Sequence, residues 1–208
     1  PHPMSRYTGP RLKVLRALGV DLPGLSRKSM QERNQPPGQH GAKKNAGRKS
    51  EFGQQLMEKQ KLRYNYGLTE TQLRRVVVDA KKDRGATGNK LVELLERRLD
   101  NLVFRAGFAP TIPAARQLVS HGKFQLNGKR VTIPSIRIRI GDSFGPTDAG
   151  KKIDLVRATL EAPALERPEW IAYDATTQTA RLSHLPDGDS APFPLDLQRI
   201  VEYYATRL

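Results

Sequence analysis

The sequence predicts an α+β fold, and three observations carry the prediction. Apolar residues recur at helical spacing from Thr69 to His121. An Asn127-Gly128 pair then separates two short alternating segments, the pattern of a tight β-hairpin. The first fifty residues carry too many chain breaks and charges to hold a core. The expected architecture is an N-terminal basic arm (4–50) and a helical domain (51–98), followed by a domain (99–193) with two short helices packed on a small, mainly antiparallel β-sheet. A C-terminal helix within 194–208 is expected to pack on the helical domain. Pro1-His2-Pro3, ahead of Met4, take no part in this reading.

In the arm, Gly9-Pro10, Pro23-Gly24, Pro36-Pro37-Gly38 and Gly41 interrupt any long element. Arg11 to Leu18 suits one or two helical turns, with Leu12, Leu15 and Leu18 three apart. The stretch QERNQPPGQHGAKKNAGRKS has almost no apolar content. Tyr7 beside Arg6, and His40 near Lys43 and Lys44, set flat groups among cations, where a base can stack.

Ser50 is a helix N-cap, and Phe52, Leu56 and Leu62 continue that helix toward Gly67. Thr69 and Gln72 have the spacing of a capping box. The next helix puts Leu73, Val76, Val77 and Ala80 on one stripe, with Arg74, Arg75, Lys81 and Lys82 beside or opposite it. Gly85 ends it, and Thr87 is expected to cap a helix whose stripe is Leu91, Leu94, Leu95 and Leu99. Glu93, Glu96, Arg97 and Arg98 alternate in sign, which reads as a solvated face.

Leu99, Leu102, Val103 and Ala106 form the next stripe, closed by Gly107. Thr111 caps a helix that tolerates Pro113 in its first turn, where the amide needs no intrahelical partner. Ile112, Ala115, Leu118 and Val119 face inward, leaving Arg105, Arg116, Gln117, Ser120 and His121 outside. A type I′ turn needs positive φ at both central residues, which Asn-Gly supplies. That register pairs Phe124 with Val131, Gln125 with Arg130 and Leu126 with Lys129, so Lys123, Gln125, Arg130 and Thr132 share the outward face. Ile136, Ile138 and Ile140 alternate with Arg137 and Arg139, as in a half-buried strand with a basic face. Residues 143–190 alternate only weakly. There, 153–160 and 170–182 read as strands, and Leu197, Ile200, Val201 and Tyr204 mark the C-terminal helix.

Lys and Arg number 36 against 21 Asp and Glu, a formal net charge of +15. The excess is uneven: +9 over 1–50, +3 over 51–100, +5 over 101–150 and −2 over 151–208. A polyanion is therefore expected against the first 150 residues. No apolar run approaches the ~18 residues of a membrane span, and no secretory leader is expected. The absence of cysteine excludes disulfides and thiolate metal sites and fits a cytosolic protein. Four dispersed histidines offer no metal-ligand spacing. His121 has no carboxylate or nucleophile beside it in sequence, so it is not read as a catalytic base.

The segment RLDNLVFRAGFAPTIPAARQLVSHGKFQLNGKRVTIPS closely resembles the signature of the small-subunit ribosomal protein S-four family. The flanks agree: SRYTGPR, QPPGQHG, KQKLRYNYGLTETQLRR, PEWIAYD and IVEYYATR, so the resemblance runs from Met4 to Leu208. It implies a non-enzymatic constituent of the ribosome, in the cytoplasm, that binds a junction in the 5′ domain of 16S rRNA and nucleates assembly of the 30S body. It further implies contact with small-subunit protein five, where decoding accuracy is affected, protein three as another neighbour, and a position beside the path of mRNA. Neither membrane nor small-molecule substrate is expected. Some relatives hold zinc through four arm cysteines. Leu12 and Leu15 stand where the first two would be, so neither metal nor cofactor is expected. The module alone also fits an RNA-modifying or ribosome-associated protein, the alternative reading. The RNA-binding residues expected in the arm are Arg6, Tyr7, Arg11, Lys13, Arg16, Arg27, Lys28, Lys43, Lys44, Arg48 and Lys49. In the module they are Arg105, Arg116, Gln117, Ser120, His121, Lys123, Arg130 and Arg139.

Overall fold

The computed structural model describes residues 7–31, 35–39, 41 and 50–207. The chain divides into two compact units, Pro1–Leu91 with Ala191–Leu208, and Val92–Ser190. The α+β expectation holds.

The first unit is helical. Helix α1 (Arg11–Leu18) stops at Gly19, whose left-handed φ of 70° lets its amide reach the Leu15 carbonyl at 2.8 Å. Its inward face is Val14 and Leu15, while Leu12 is 38% exposed, so the three-residue leucine spacing is not a buried stripe. Leu22 and Leu25 are also buried, and Asn65 Oδ1 accepts the Gly24 amide at 2.9 Å, tying this loop to the end of α2 (Glu51–Asn65). The Ser50 hydroxyl caps α2 through the Gly53 amide. Thr69 and Gln72 cap α3 (Glu70–Lys81) reciprocally, at 3.0 and 3.2 Å. Leu73, Val76, Val77 and Ala80 are buried as the periodicity requires. Helix α4 runs Thr87–Glu96; Thr87 is its first helical residue, and the first intrahelical bond goes to the Ala86 carbonyl, so Ala86 holds the cap position expected of Thr87.

The last helix of the chain, labelled α9 (Leu197–Ala205), packs on α2 through Ile200, Tyr203 and Tyr204. Lys59, 4% exposed, pairs with Glu70 Oε2 at 2.8 Å and lies 5.0 Å over the Tyr203 ring, while the Tyr204 hydroxyl donates to Glu70 Oε1 at 2.7 Å. Burial alone would raise the Glu70 pKa. The hydrogen bonds from Lys59 and Tyr204, with the charges of Lys59 and Arg63, outweigh it and hold the carboxyl below the ordinary range. Burial and the adjacent Glu70 push Tyr204 upward.

The second unit builds helices on a five-stranded sheet. Helix α5 (Leu99–Arg105) is buried along its whole length. Helix α6 (Ile112–Ser120) is capped by Thr111 and carries Pro113 in its first turn. Strands β1 (Phe124–Leu126), β2 (Lys129–Val131), β3 (Ser143–Pro146), β4 (Ile171–Asp174) and β5 (Thr179–Leu182) pair antiparallel in the order β2-β1-β3-β5-β4. Phe108 centres the core, edge-on to Phe124, Phe144 and Tyr173 at 5.6, 6.4 and 5.9 Å. The hairpin register is the one expected, with Asn127 at φ 49° and Gly128 at φ 76°.

Two expected strands are absent. Residues 153–160 form helix α8 (Asp154–Glu161), which follows the short α7 (Asp148–Lys151). The β-branched residues there suggest a strand, but Val156 and Thr159 are three apart on the buried side, and Asp154 suits the positive helix start. Residues 136–140 make one bridge, Arg98 with Arg137, and no strand. Their backbone bonds the start of α5 instead, Leu99 N to Ile136 O at 2.8 Å and Ile138 N to Arg97 O at 2.9 Å. Ile138 is buried and Ile140 is 56% exposed. The third strand of the sheet is β3, in a stretch whose alternation was too weak to mark it.

Candidate nucleic-acid interface

The outward face of the sheet follows from strand alternation. With Phe124, Phe144, Ala180 and Leu182 buried, Gln125, Arg130 and Arg181 lie on the opposite face. Arg130 stands across from Gln125, and its guanidinium lies against Gly122, the φ +66° residue after α6. Glycine adopts that left-handed backbone conformation without strain. Arg181 is fixed by its Nε bond to the Gly141 carbonyl at 3.1 Å, with Ser143 and Ala172 as cross-strand neighbours.

The turn that presents this face is tied down. Asn127 Nδ2 donates to Asp142 Oδ1 at 2.8 Å, the Ser143 amide donates to Asn127 Oδ1 at 2.9 Å, and the Arg139 amide donates to Asp142 Oδ2 at 2.8 Å. Partial burial would raise the Asp142 pKa; the bonds from Asn127 and Arg139 and the charges of Arg139 and Arg97 more than offset it and lower it. His121, Arg130 and Arg139 are exposed, and Lys123 is half-buried. On α6, Gln117 is exposed and Ser120 half-buried. Of these six side chains, four are exposed and two are half-buried.

Two module arginines are placed differently. Arg105, expected outside, is 7% exposed: its guanidinium approaches Glu96 Oε2 at 3.4 Å, donates to the Ser190 carbonyl at 3.1 Å and lies 5.7 Å over Trp170. Arg116 is turned onto Asp100, which accepts from its Nε at 3.0 Å and Nη2 at 2.8 Å. Asp100, fully buried, also accepts from Arg98 Nε at 3.1 Å and Nη2 at 2.8 Å and from the Asn101 amide at 3.0 Å. Glu93 and Glu96, read as solvated, are 9% and 0% exposed. Glu93 binds Arg97 at 2.7 Å and Glu96 accepts Asn101 Nδ2 at 2.9 Å. Low-dielectric surroundings require each buried charge to be matched, so the alternating signs are spent inside the unit.

In the arm, Tyr7 is 44% exposed and edge-on to Tyr64 at 5.3 Å. Arg11 bonds the Leu25 carbonyl at 3.4 Å, and Arg16 bonds the carbonyls of Gln35 at 2.9 Å and Pro36 at 3.4 Å. Lys13, Arg27 and Lys28 are exposed. Arg6, Lys43, Lys44, Arg48 and Lys49 lie outside the described residues, as does His40. Sequence reasoning missed Asp100, whose pairing with Arg98 and Arg116 has no signature in spacing. It also missed Arg181, which lies in the weakly alternating stretch. Among the described residues no group of His, Asp or Glu is placed to hold a metal ion, and no helix is long and apolar enough to cross a membrane.

This geometry, a tied-down turn with Arg130 and Arg139 exposed near it and no catalytic constellation among the described residues, suits contact with phosphates. Comparison with known proteins gives the lineage. Residues 6–96 match the family described as ribosomal protein S4/S9 N-terminal domain, and residues 97–144 match the S4 domain. The small ribosomal subunit protein uS4 of Methylobacillus flagellatus is 60% identical over 205 residues, covering 99% of this chain and all of that one. The uS4B protein of Nitrosomonas europaea is 57% identical with the same coverage. A ribosomal protein uS4-like chain of Azoarcus sp. is 85% identical over 108 residues, 52% of this chain and 94% of its own. Two family matches spanning 6–144 and full-length identity near three-fifths place this chain in the uS4 family of small ribosomal subunit proteins, structural components of the ribosome and not enzymes.

Proposed function

We propose that this chain is a primary binder of 16S ribosomal RNA, gripping a junction in the 5′ domain and nucleating assembly of the 30S body in the bacterial cytoplasm. The observation that carries the reading is the uS4 relationship over the full chain, joined to exposed His121, Arg130 and Arg139 and half-buried Lys123. Lys and Arg neutralise phosphates and release counterions, so affinity falls steeply with salt. A-form helices hide their major-groove edges, so phosphate and 2′-hydroxyl contacts dominate. Arg105 and Arg116 serve the platform from within, and the exposed residues of arm and module meet RNA. Small-subunit protein five, with protein three beyond it, is the expected protein neighbour, contributing to decoding accuracy, and mRNA passes close by.

Filter binding of the full chain to 5′-domain 16S RNA across a salt series tests the central claim. Log–log slopes of several units are expected, and absent or salt-insensitive binding overturns it. Reconstitution of small subunits without this chain tests nucleation: particles that assemble at an unchanged rate refute that part alone. Crosslinking in assembled subunits tests protein five.

A further inference from the structure

Helix α3 carries a charged surface of its own. Thr71, Arg74, Arg75, Val78, Lys81 and Lys82 are all exposed. At 3.6 residues per turn they fall within about 120° of arc, opposite the buried stripe of Leu73, Val76, Val77 and Ala80. From Arg74 to Lys82 the axial rise is about 12 Å. Other cations of the chain sit beside carboxylates: Lys61 with Glu58 at 2.6 Å, Lys90 with Asp83 at 3.2 Å, Arg97 with Glu93 at 2.7 Å. On α3 four cations share two acidic residues. Glu70 is turned to Lys59 and Tyr204, and Asp79 binds Lys82 at 3.2 Å. Lys81 and Lys82 gain from the negative helix end, an ordinary structural reason for cations there. Arg74 and Arg75, outside the last turn, have no such reason. Val78, 41% exposed, sits at the centre of the arc.

We propose that this face of α3 is a further RNA-binding surface, in which Arg74, Arg75 and Lys81 meet the phosphodiester backbone of the same ribosomal RNA. The occupant is a polyanion because the face offers guanidinium and ammonium groups in a row with one small apolar residue between them. A protein partner docked in a groove needs a continuous apolar stripe, which this face lacks. The proposal rests on the rRNA-binding reading above, and the test separates the two.

The chain has no cysteine, so Val78→Cys creates a single attachment point on the face. An iron chelate placed there, in the full chain bound to 5′-domain 16S RNA, is expected to cut the RNA locally by hydroxyl radicals. The comparison is Ala158→Cys on exposed α8. In parallel, Arg74→Gln/Arg75→Gln/Lys81→Gln is expected to reduce the salt slope by about 2–3, at about 0.7–0.9 per phosphate contact. Lys151→Gln/Lys152→Gln/Arg157→Gln, which removes the same charge elsewhere, should change it by less than about 1. Circular dichroism melts confirm that each variant is folded, glutamine being a good helix former. If the unsubstituted chain fails to bind RNA, the rRNA reading falls and this proposal with it. If it binds, but cutting from position 78 does not exceed cutting from 158, or the two triple variants behave alike, the α3 proposal alone falls. It falls likewise if crosslinks from position 78 in assembled subunits reach only protein.

Discussion

Asp100→Asn isolates the electrostatic centre of the second unit. The carboxylate is fully buried and takes two hydrogen bonds from Arg98 and two from Arg116, with the Asn101 amide as a fifth donor. An amide in its place keeps one accepting oxygen, aims a donor at a guanidinium, and leaves two cations facing each other without the anion between them. Breaking a buried ion pair by removing one partner costs about 3–5 kcal/mol. The Arg98 and Arg116 side chains keep 11% and 16% exposure, so water reaches them in part and the lower end, about 3 kcal/mol, is expected. For a chain of this size that is a fall in Tm of about 6–12 °C. Thermal and urea melts followed by circular dichroism measure it. The double variant Asp100→Asn/Arg116→Gln should recover part of the loss, because one guanidinium then remains against the amide. A single-variant loss below about 1 kcal/mol, or strictly additive losses in the double variant, refutes the account.

Gly128→Ala meets no atom within 4 Å, so its cost is purely that of holding an alanine at φ 76°, about 1–2 kcal/mol by urea melts; a neutral result would mean the turn relaxes to another type. Thr69→Ala removes half of a reciprocal cap and should cost about 1 kcal/mol, read in the same way. Glu70 has its pKa lowered in the fold, so its contribution is complete above the ordinary carboxylate pKa and is lost as pH falls through the folded value. Melts from pH 6 to pH 3 should therefore show the parent losing more stability than Glu70→Gln, and parallel curves would contradict the Lys59–Glu70–Tyr204 arrangement. Lys123→Gln/Arg130→Gln should lower the salt slope of RNA binding by about 2 without shifting Tm, and an unchanged slope removes both from the interface.

Much of the fold is legible locally because it rests on rules of short range. Thr69-Gln72, Ser50, Thr111 and Asn127-Gly128 each satisfy or bend their own backbone within four residues, and each is where the sequence put it. The helical stripes 73–80 and 112–119 are equally local. Residues 136–140 misread as a strand because alternation shows which side chains turn inward but not which backbone accepts their hydrogen bonds. Here Arg97 and Leu99, at the start of α5, take up those bonds. Residues 153–160 misread because isoleucine, valine and threonine favour strands in isolation, while packing of Val156 and Thr159 favours a helix here.

The sequence alone therefore determined the α+β class, the excess of basic charge and the hairpin register, since these follow from composition, periodicity and turn chemistry that need no distant partner, while the family was legible through resemblance of its segments. Tertiary structure decided which charges are available. Arg105, Arg116, Glu93 and Glu96 carry the same one-dimensional signal as the exposed charges around them. Only the fold brings Glu96 to Asn101 and Arg105, and Asp100 to Arg98 and Arg116, and a charge enters the interior only where such a partner meets it.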